Sequence, residues 1–145
     1  MAYLDGGYSP VDFPDLLKEY EGNGTALAGN WGASPSSVDA CLRQHGYETE
    51  LVSGAKLGES GKGYRQLQDK YDVYILSTWN RGDKIPSSGV HTMAITKNEN
   101  GKFVVHNDYK YKEGSPLNEY DTLREAAYSY HNGDSEPISI IGVTK

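Results

Sequence analysis

The sequence has few of the residues that build disulfide frameworks, metal clusters or membrane spans. It contains one cysteine, Cys41, and no apolar run near the roughly 18 residues that a membrane span needs. A single cysteine excludes an intramolecular disulfide and a cysteine-rich zinc cluster. The common local motifs of phosphate-binding loops, zinc proteases and serine hydrolases are missing too. We therefore predict no metal, no cofactor and no membrane partner.

Positive charge and aliphatic residues are also scarce. The chain carries 14 Lys and Arg against 20 Asp and Glu, a net charge of -6, which argues against binding to a nucleic-acid polymer. Leu, Ile, Val and Phe make up only 27 of the 145 residues. Twelve tyrosines and two tryptophans offset this shortage, and such side chains favour a half-buried, polar lining. The length predicts a single domain over residues 1–145, and the N-terminus shows no signal-peptide pattern, so we expect a cytoplasmic location.

Helical patterns precede strand patterns along the chain. The firmest helix begins with Ser34 as N-cap and Pro35 in the first position, and it stops at Gly46. Other segments are predicted as helices over residues 13–20, 64–69 and 122–131, a polar glycine-rich loop over 54–63, and strands over 71–79, 90–96, 102–109 and 137–143. This order predicts an α+β fold, an antiparallel sheet with helices packed on one side.

The hairpin over residues 90–109 carries the candidate site, because His91 begins one strand and Asn107-Asp108 end its neighbour. A carboxamide or carboxylate one strand away can fix the tautomer of a histidine that acts as a base. A three-residue loop ending in a left-handed Gly101 pairs residues whose numbers sum to 200, and His91 then shares a face with Asn107. A two-residue turn shifts the sum to 201 and selects Asp108 instead. The Glu-Asn-Gly sequence favours the three-residue loop and Asn107.

The stretch from Phe13 to Tyr109, about two thirds of the chain, resembles the papain-like cysteine peptidases of the C39-like family. The similarity lies in Gly46-Tyr47 after a helix, Val90-His91 at the start of a strand and Asn107-Asp108 at the end of the next. It implies a papain-like fold in which His91 is the catalytic base and Asn107, or alternatively Asp108, orients it.

The family's nucleophilic cysteine and its preceding glutamine are absent, and residues 1–4 resemble the end of that helix. Cys41 lies in the middle of a helix on its apolar stripe, where a thiol is usually a small core residue. Two hypotheses follow. One is a catalytically silent binding module of papain-like fold, and the other is a cysteine peptidase, deamidase or related acyl-transfer enzyme whose nucleophile lies upstream of Met1.

The expected ligand is a peptide or a small polar molecule held in the cleft around His91 and Asn107. Trp79, Trp31 and Tyr109 are candidates to line this cleft by stacking and by hydroxyl donation. A missing central helix would also leave apolar surface bare on one sheet face, either that of Met93 and Ile95 or the other. A homodimer would cover it.

Overall fold

The computed structural model describes residues 34–58, 61–79, 90–106, 119–129 and 137–145, with the backbone alone at residues 79, 90 and 91. Its elements are α1 (Pro35–Gln44), β1 (Glu48–Ser53), α2 (Gly54–Leu57), α3 (Lys62–Gln68), β2 (Val73–Trp79), β3 (Val90–Lys97), β4 (Phe103–His106), β5 (Glu119–Tyr120), α4 (Leu123–Tyr128) and β6 (Ser139–Thr144). The predicted helix over residues 13–20 lies outside these ranges. No helix within them has the length and hydropathy to cross a membrane.

The strands form one sheet in the order β1-β6-β2-β3-β4-β5, and each neighbouring pair is antiparallel. The last strand, β6, lies between β1 and β2, and every residue from Ser139 to Val143 is buried. This arrangement confirms the predicted α+β class and the antiparallel sheet.

Helix α1 forms where the sequence predicts it. The Ser34 hydroxyl accepts a hydrogen bond from the Ser37 amide at 3.1 Å, and Pro35 opens the helix. Gly46 follows the helix with a φ of 82°, a left-handed conformation that glycine adopts at little cost. The buried side of α1 packs through Val38 and Leu42 on one sheet face, with Val73, Ile141 and Val143. We call this side of the sheet the α1 face.

The opposite side, which we call the Tyr74 face, holds the larger core cluster. Tyr74 is fully buried, and its hydroxyl donates to the Leu67 carbonyl at 3.1 Å and to the Tyr71 carbonyl, which anchors the end of α3 to the sheet. Burial raises the pKa of Tyr74. Residues of α2, α3 and α4 cover this face, among them Leu57, Tyr64, Leu67, Leu123, Ala126 and Ala127.

Helices therefore pack on both sides of the sheet, and the prediction of helices on one side was wrong. The physical reason is visible in β2 and β6. Val73, Tyr74 and Leu76 are buried in succession around the half-buried Ile75, and Ile140 and Ile141 are both fully buried. Strands that are apolar on both faces need cover on both faces.

The β3–β4 hairpin has the predicted register. Ala94 pairs with His106 and Ile95 with Val105, so paired residue numbers sum to 200. Gly101 has a φ of 74°, and the Asn98 amide donates to the Lys102 carbonyl at 2.9 Å across the three-residue loop. The Asn98 side chain accepts from the amides of Asn100 and Lys102 and so stabilises the turn.

The prediction of a glycine-rich loop over residues 54–63 was wrong in part, because this segment contains α2 and the start of α3. Leu57 is fully buried in the core. A Cβ built on Gly63 would lie 2.8 Å from the Leu57 Cα, so glycine is needed where these two helices meet. Two strands, β1 and β5, were not predicted, and both are edge strands with few buried residues to show a period.

The predicted capping box at the start of α4 is present. The Thr122 hydroxyl accepts from the Glu125 amide at 3.2 Å, and the Glu125 carboxylate accepts from the Thr122 amide at 3.0 Å. Both bonds satisfy amides that the helix itself leaves unpaired. The helix extends to Tyr128, and residues 130–131 of the predicted range lie outside the described part of the chain.

The apolar surface expected from a missing helix is not seen on the described residues. Met93 and Ile95 are buried beneath helices of the chain itself, and Leu51 is the exposed large hydrophobic residue of these ranges, at 38%. The homodimer stays a prediction that lacks this support.

Gly142 gives a direct test of the packing at the centre of the sheet. A Cβ built there would lie 2.7 Å from Cγ of the Tyr71 ring, which covers this glycine. We expect Gly142→Ala to lower the free energy of unfolding by about 1–3 kcal/mol, the usual cost of overpacking, measured by urea denaturation. With Tyr71→Ala as background, the same substitution should cost little, and an equal cost in both backgrounds would contradict the proposed contact.

Candidate functional site

His91 lies near the start of β3, at the end of the sheet where β2 finishes. The backbone of His91 pairs with that of Thr78. Met93 and Ile95 lie two and four residues further along β3, so the His91 position shares the Tyr74 face with them. The prediction that a strand presents His91 at a sheet end is therefore confirmed for the backbone.

Thr78, directly opposite His91, has an unusual environment. Its side chain is fully buried, and its Oγ1 makes no hydrogen bond to any described group. A buried hydroxyl without a partner costs about 1–3 kcal/mol, so most such groups in folded proteins are paired. The paired positions of Thr78 and His91 form the centre of the candidate site.

At the same end of the sheet, two further hydroxyls are buried without a hydrogen-bond partner among the described residues. Ser77 is 1% exposed and Ser139 is 3% exposed, and neither Oγ has a hydrogen-bond partner within the described ranges. They are cross-strand neighbours on the α1 face. None of these three hydroxyl residues was predicted as part of the site. The signal was the run Ser77-Thr78 at the end of an otherwise apolar strand.

Four of the predicted site residues, Asn107, Asp108, Tyr109 and Trp31, lie outside the described residues. The register bears on the choice between the first two, because a sum of 200 is the arrangement from which Asn107 was predicted as the partner of His91. Strand β4 is described as far as His106, which pairs with Ala94.

Trp79 was predicted to line the same cleft as His91, but the register separates the two positions. Residue 79 pairs with residue 90. It lies an even number of residues from Val73 and Ser77 on β2, so its position is on the α1 face with them. Neighbouring positions on paired strands share a face only when they are direct partners or two residues apart.

The register also separates His91 from His106. His106 pairs with Ala94, which lies three residues from His91 on β3 and therefore on the opposite, α1 face. The His106 Nε2 lies 2.8 Å from the Thr96 hydroxyl, so this histidine has a structural partner. No group of three or more His, Cys, Asp or Glu side chains within the described ranges is placed to hold a metal ion.

Cys41 occupies the core position that the helical pattern predicted, and its exposure is 0%. Its helix packs at the opposite end of the sheet from Thr78. Val38 and Leu42, near Cys41 on α1, belong to the same core cluster as Val73. Thr78 lies five residues beyond Val73 along β2, about 16 Å away at about 3.3 Å per residue. The Cys41 thiol therefore does not reach the His91 position.

Charge is concentrated away from the candidate site. The ion pairs Arg43–Asp39, Lys70–Glu50 and Lys97–Asp72 lie toward the opposite end of the sheet. The hydrogen bond from Lys70 holds the pKa of Glu50 below its ordinary value. Among the described residues, the end near Thr78 thus offers uncharged hydroxyls.

Comparisons of the chain with protein-family models, curated proteins and solved structures find no match.

The burial of Cys41 predicts slow chemical modification. We expect iodoacetamide at neutral pH to label Cys41 in the folded protein far more slowly than in urea, because burial suppresses the reactive thiolate. Mass spectrometry of the intact protein over time measures both rates. Equal rates with and without urea would contradict the core assignment.

The register predicts the acid–base behaviour of His91. A neutral amide neighbour leaves a histidine pKa near its ordinary ~6.5, whereas a carboxylate within about 4–6 Å raises it. We expect the His91 pKa, measured by NMR titration, to stay near this value and to ignore the substitution Asp108→Asn. A high pKa that falls in Asp108→Asn would instead identify Asp108 as the partner.

Proposed function

We propose that this protein is a catalytically silent binding module of papain-like fold, which holds a peptide or a small polar ligand in the cleft around His91 and Asn107. The observation that carries the proposal is the buried Thr78 hydroxyl, which lies directly opposite the His91 position and has no hydrogen-bond partner among the described groups.

A polar ligand gives this hydroxyl a role. Burying Thr78 Oγ1 with no partner among the described groups is costly, and a ligand carbonyl or amide that hydrogen-bonds to it contributes a net ~0.5–1.5 kcal/mol. The imidazole of His91 supplies a second donor or acceptor one strand away. Ligand sites commonly combine a few such convergent polar groups.

The position of the thiol supports the catalytically silent assignment. Nucleophilic catalysis requires a cysteine within hydrogen-bond reach of the histidine that activates it. The chain has one cysteine, and Cys41 is buried in α1 about 16 Å along the sheet, at about 3.3 Å per residue. The peptidase or deamidase alternative needs a different thiol beside His91.

The family resemblance gives the remaining residues their proposed roles. Asn107 orients the His91 ring, and the register favours it over Asp108. Trp31 and Tyr109 are proposed to line the cleft. Trp79 is left out of this cleft, since its strand position belongs to the α1 face.

NMR titration of the 15N-labelled protein with a mixture of capped tripeptides tests the proposal. We expect shifts of the Thr78, His91 and Thr92 amide signals, with no peptide cleaved. Thr78→Val keeps the side-chain shape and removes the hydroxyl, so it should weaken binding about threefold to tenfold, as for one neutral hydrogen bond.

Thr144→Val makes the same substitution at the far end of β6 and is the matched control. It should leave the peptide-induced shifts unchanged. The proposed site is wrong if the peptides shift none of these signals in the wild type, or if the two variants weaken binding equally. Cleavage of the peptides by the wild type would contradict the silent assignment.

A further inference from the structure

Strand β1 forms one edge of the sheet, and no described strand pairs with its outer side. The Gly54 amide donates to the Ile138 carbonyl at 2.9 Å. In an antiparallel ladder such a bond flanks a residue pair that is not itself hydrogen-bonded, here Ser53 with Ser139. The backbone groups of Ser53, and those of Leu51 two residues earlier, therefore point away from β6 toward the outer side of the edge.

The open part of this edge is the second half of β1. Near the start of the strand, the Arg43 Nη2 donates to the Thr49 carbonyl at 2.8 Å, so a side chain from α1 caps the edge there. Leu51, at 38% exposure, and Ser53 are exposed. The strand contains no proline and no lysine, two residues that commonly protect natural edge strands from pairing. The edge is thus a template for a further strand.

We propose that β1 pairs antiparallel with β1 of a second copy of this chain, so that two six-stranded sheets join across a two-fold axis. The charge pattern fits a second copy. The strand begins with Glu48 and Glu50, and Lys56 follows shortly after its end. Two-fold antiparallel pairing places the acidic start of each strand beside the end of the other, so each copy supplies a lysine for the glutamates of its partner.

The glutamates and the lysine lie on the same side of the sheet. Glu50 pairs with Gly142, which pairs with Tyr74, and Glu48 is two residues from Glu50, so both glutamates are on the Tyr74 face. Helix α2 covers this face and carries the exposed Lys56. The start of the partner's α2 therefore meets Glu48 on the face where its carboxylate projects.

The exposed leucine selects the register between the two copies. The register in which Leu51 faces the partner's Leu51 brings the two exposed apolar side chains together and sets Glu50 opposite the partner's Val52. A register in which Thr49 faces the partner's Leu51 would set Glu50 opposite the partner's Glu50, and like charges directly opposite each other are destabilising. We therefore assign the register that is centred on Leu51.

The dimer is expected to be weak. A pair of six-residue strands buries less than the roughly 1,200 Å² of a standard specific interface. Sedimentation velocity of the wild type from micromolar to millimolar concentration should therefore show a reversible shift from monomer to dimer.

Charge reversal tests the proposed pairing. Glu48→Lys and Lys56→Glu each bring like charges together twice in the symmetric dimer, so each should weaken self-association about tenfold. An equimolar mixture of these two variants should dimerise at least as tightly as the wild type, because the mixed dimer has opposite charges at both places. Leu51→Asp, which sets two carboxylates opposite each other, should abolish the dimer.

Glu119→Lys is the matched control, since it makes the same charge change on β5, at the other edge of the sheet. It should dimerise as the wild type does, and the NMR spectrum of each variant reports whether it folds. A wild type that stays monomeric over the whole concentration range would overturn the proposal. So would a dimer that Leu51→Asp leaves intact, an equal loss in Glu119→Lys and Glu48→Lys, or a mixture of the two charge variants that remains monomeric.

Discussion

The structure depends on two strands, β2 and β6, whose residues are buried on both faces of the sheet. This constraint explains why α1 packs on one face while α2, α3 and α4 cover the other. It also requires the last strand of the chain to enter the middle of the sheet, next to β1, so the core is complete only after pairing over a long sequence separation. The same burial makes any polar residue in these strands costly, and Ser77, Thr78 and Ser139 are such residues.

The parts of the fold that the sequence predicted well are those governed by local chemistry. Ser34 with Pro35 defined the start of α1, Thr122 with Glu125 defined the start of α4, and Gly101 defined the hairpin loop and its register. Each depends on a cap or a turn in which neighbouring residues satisfy the backbone. Prediction failed for β1, because an edge strand buries little and shows no clear period.

The sequence did contain a sign that helices cover both faces of the sheet. This sign is the nearly unbroken apolar run Val73–Leu76, because a strand that is apolar on both faces needs cover on both. The candidate site was predictable only in part. The backbone position of His91 follows from the hairpin, but a hydroxyl at the end of an apolar strand does not reveal whether it has a partner. That depends on cross-strand neighbours such as Ser77 and Ser139, which only the sheet order brings together.

Charged groups and buried hydroxyl groups lie at opposite ends of the sheet. Ion pairs and the buried thiol of Cys41 lie toward one end, and the hydroxyl residues and the His91 position lie at the other. Among the described residues, the Cys41 thiol lies far along the sheet from the His91 position, and this separation is the basis of the proposed binding role. The two sheet faces at this end carry different groups, with the His91 and Thr78 positions on the Tyr74 face and Ser77 and Ser139 on the α1 face.

The central claim is that the described part of the fold leaves the buried hydroxyls at this end unpaired, and that the Thr78 hydroxyl serves a ligand. The free energy of unfolding of the triple variant Ser77→Ala, Thr78→Val, Ser139→Ala, measured by urea denaturation without ligand, tests it directly. The variant should be at least as stable as the wild type, because it removes three unsatisfied buried groups, each of which costs about 1–3 kcal/mol. Ser34→Ala, which removes a helix cap, should lose about 1 kcal/mol in the same assay. A loss of about 1 kcal/mol for each deleted hydroxyl would show that these groups are already paired in the folded chain and would contradict the account.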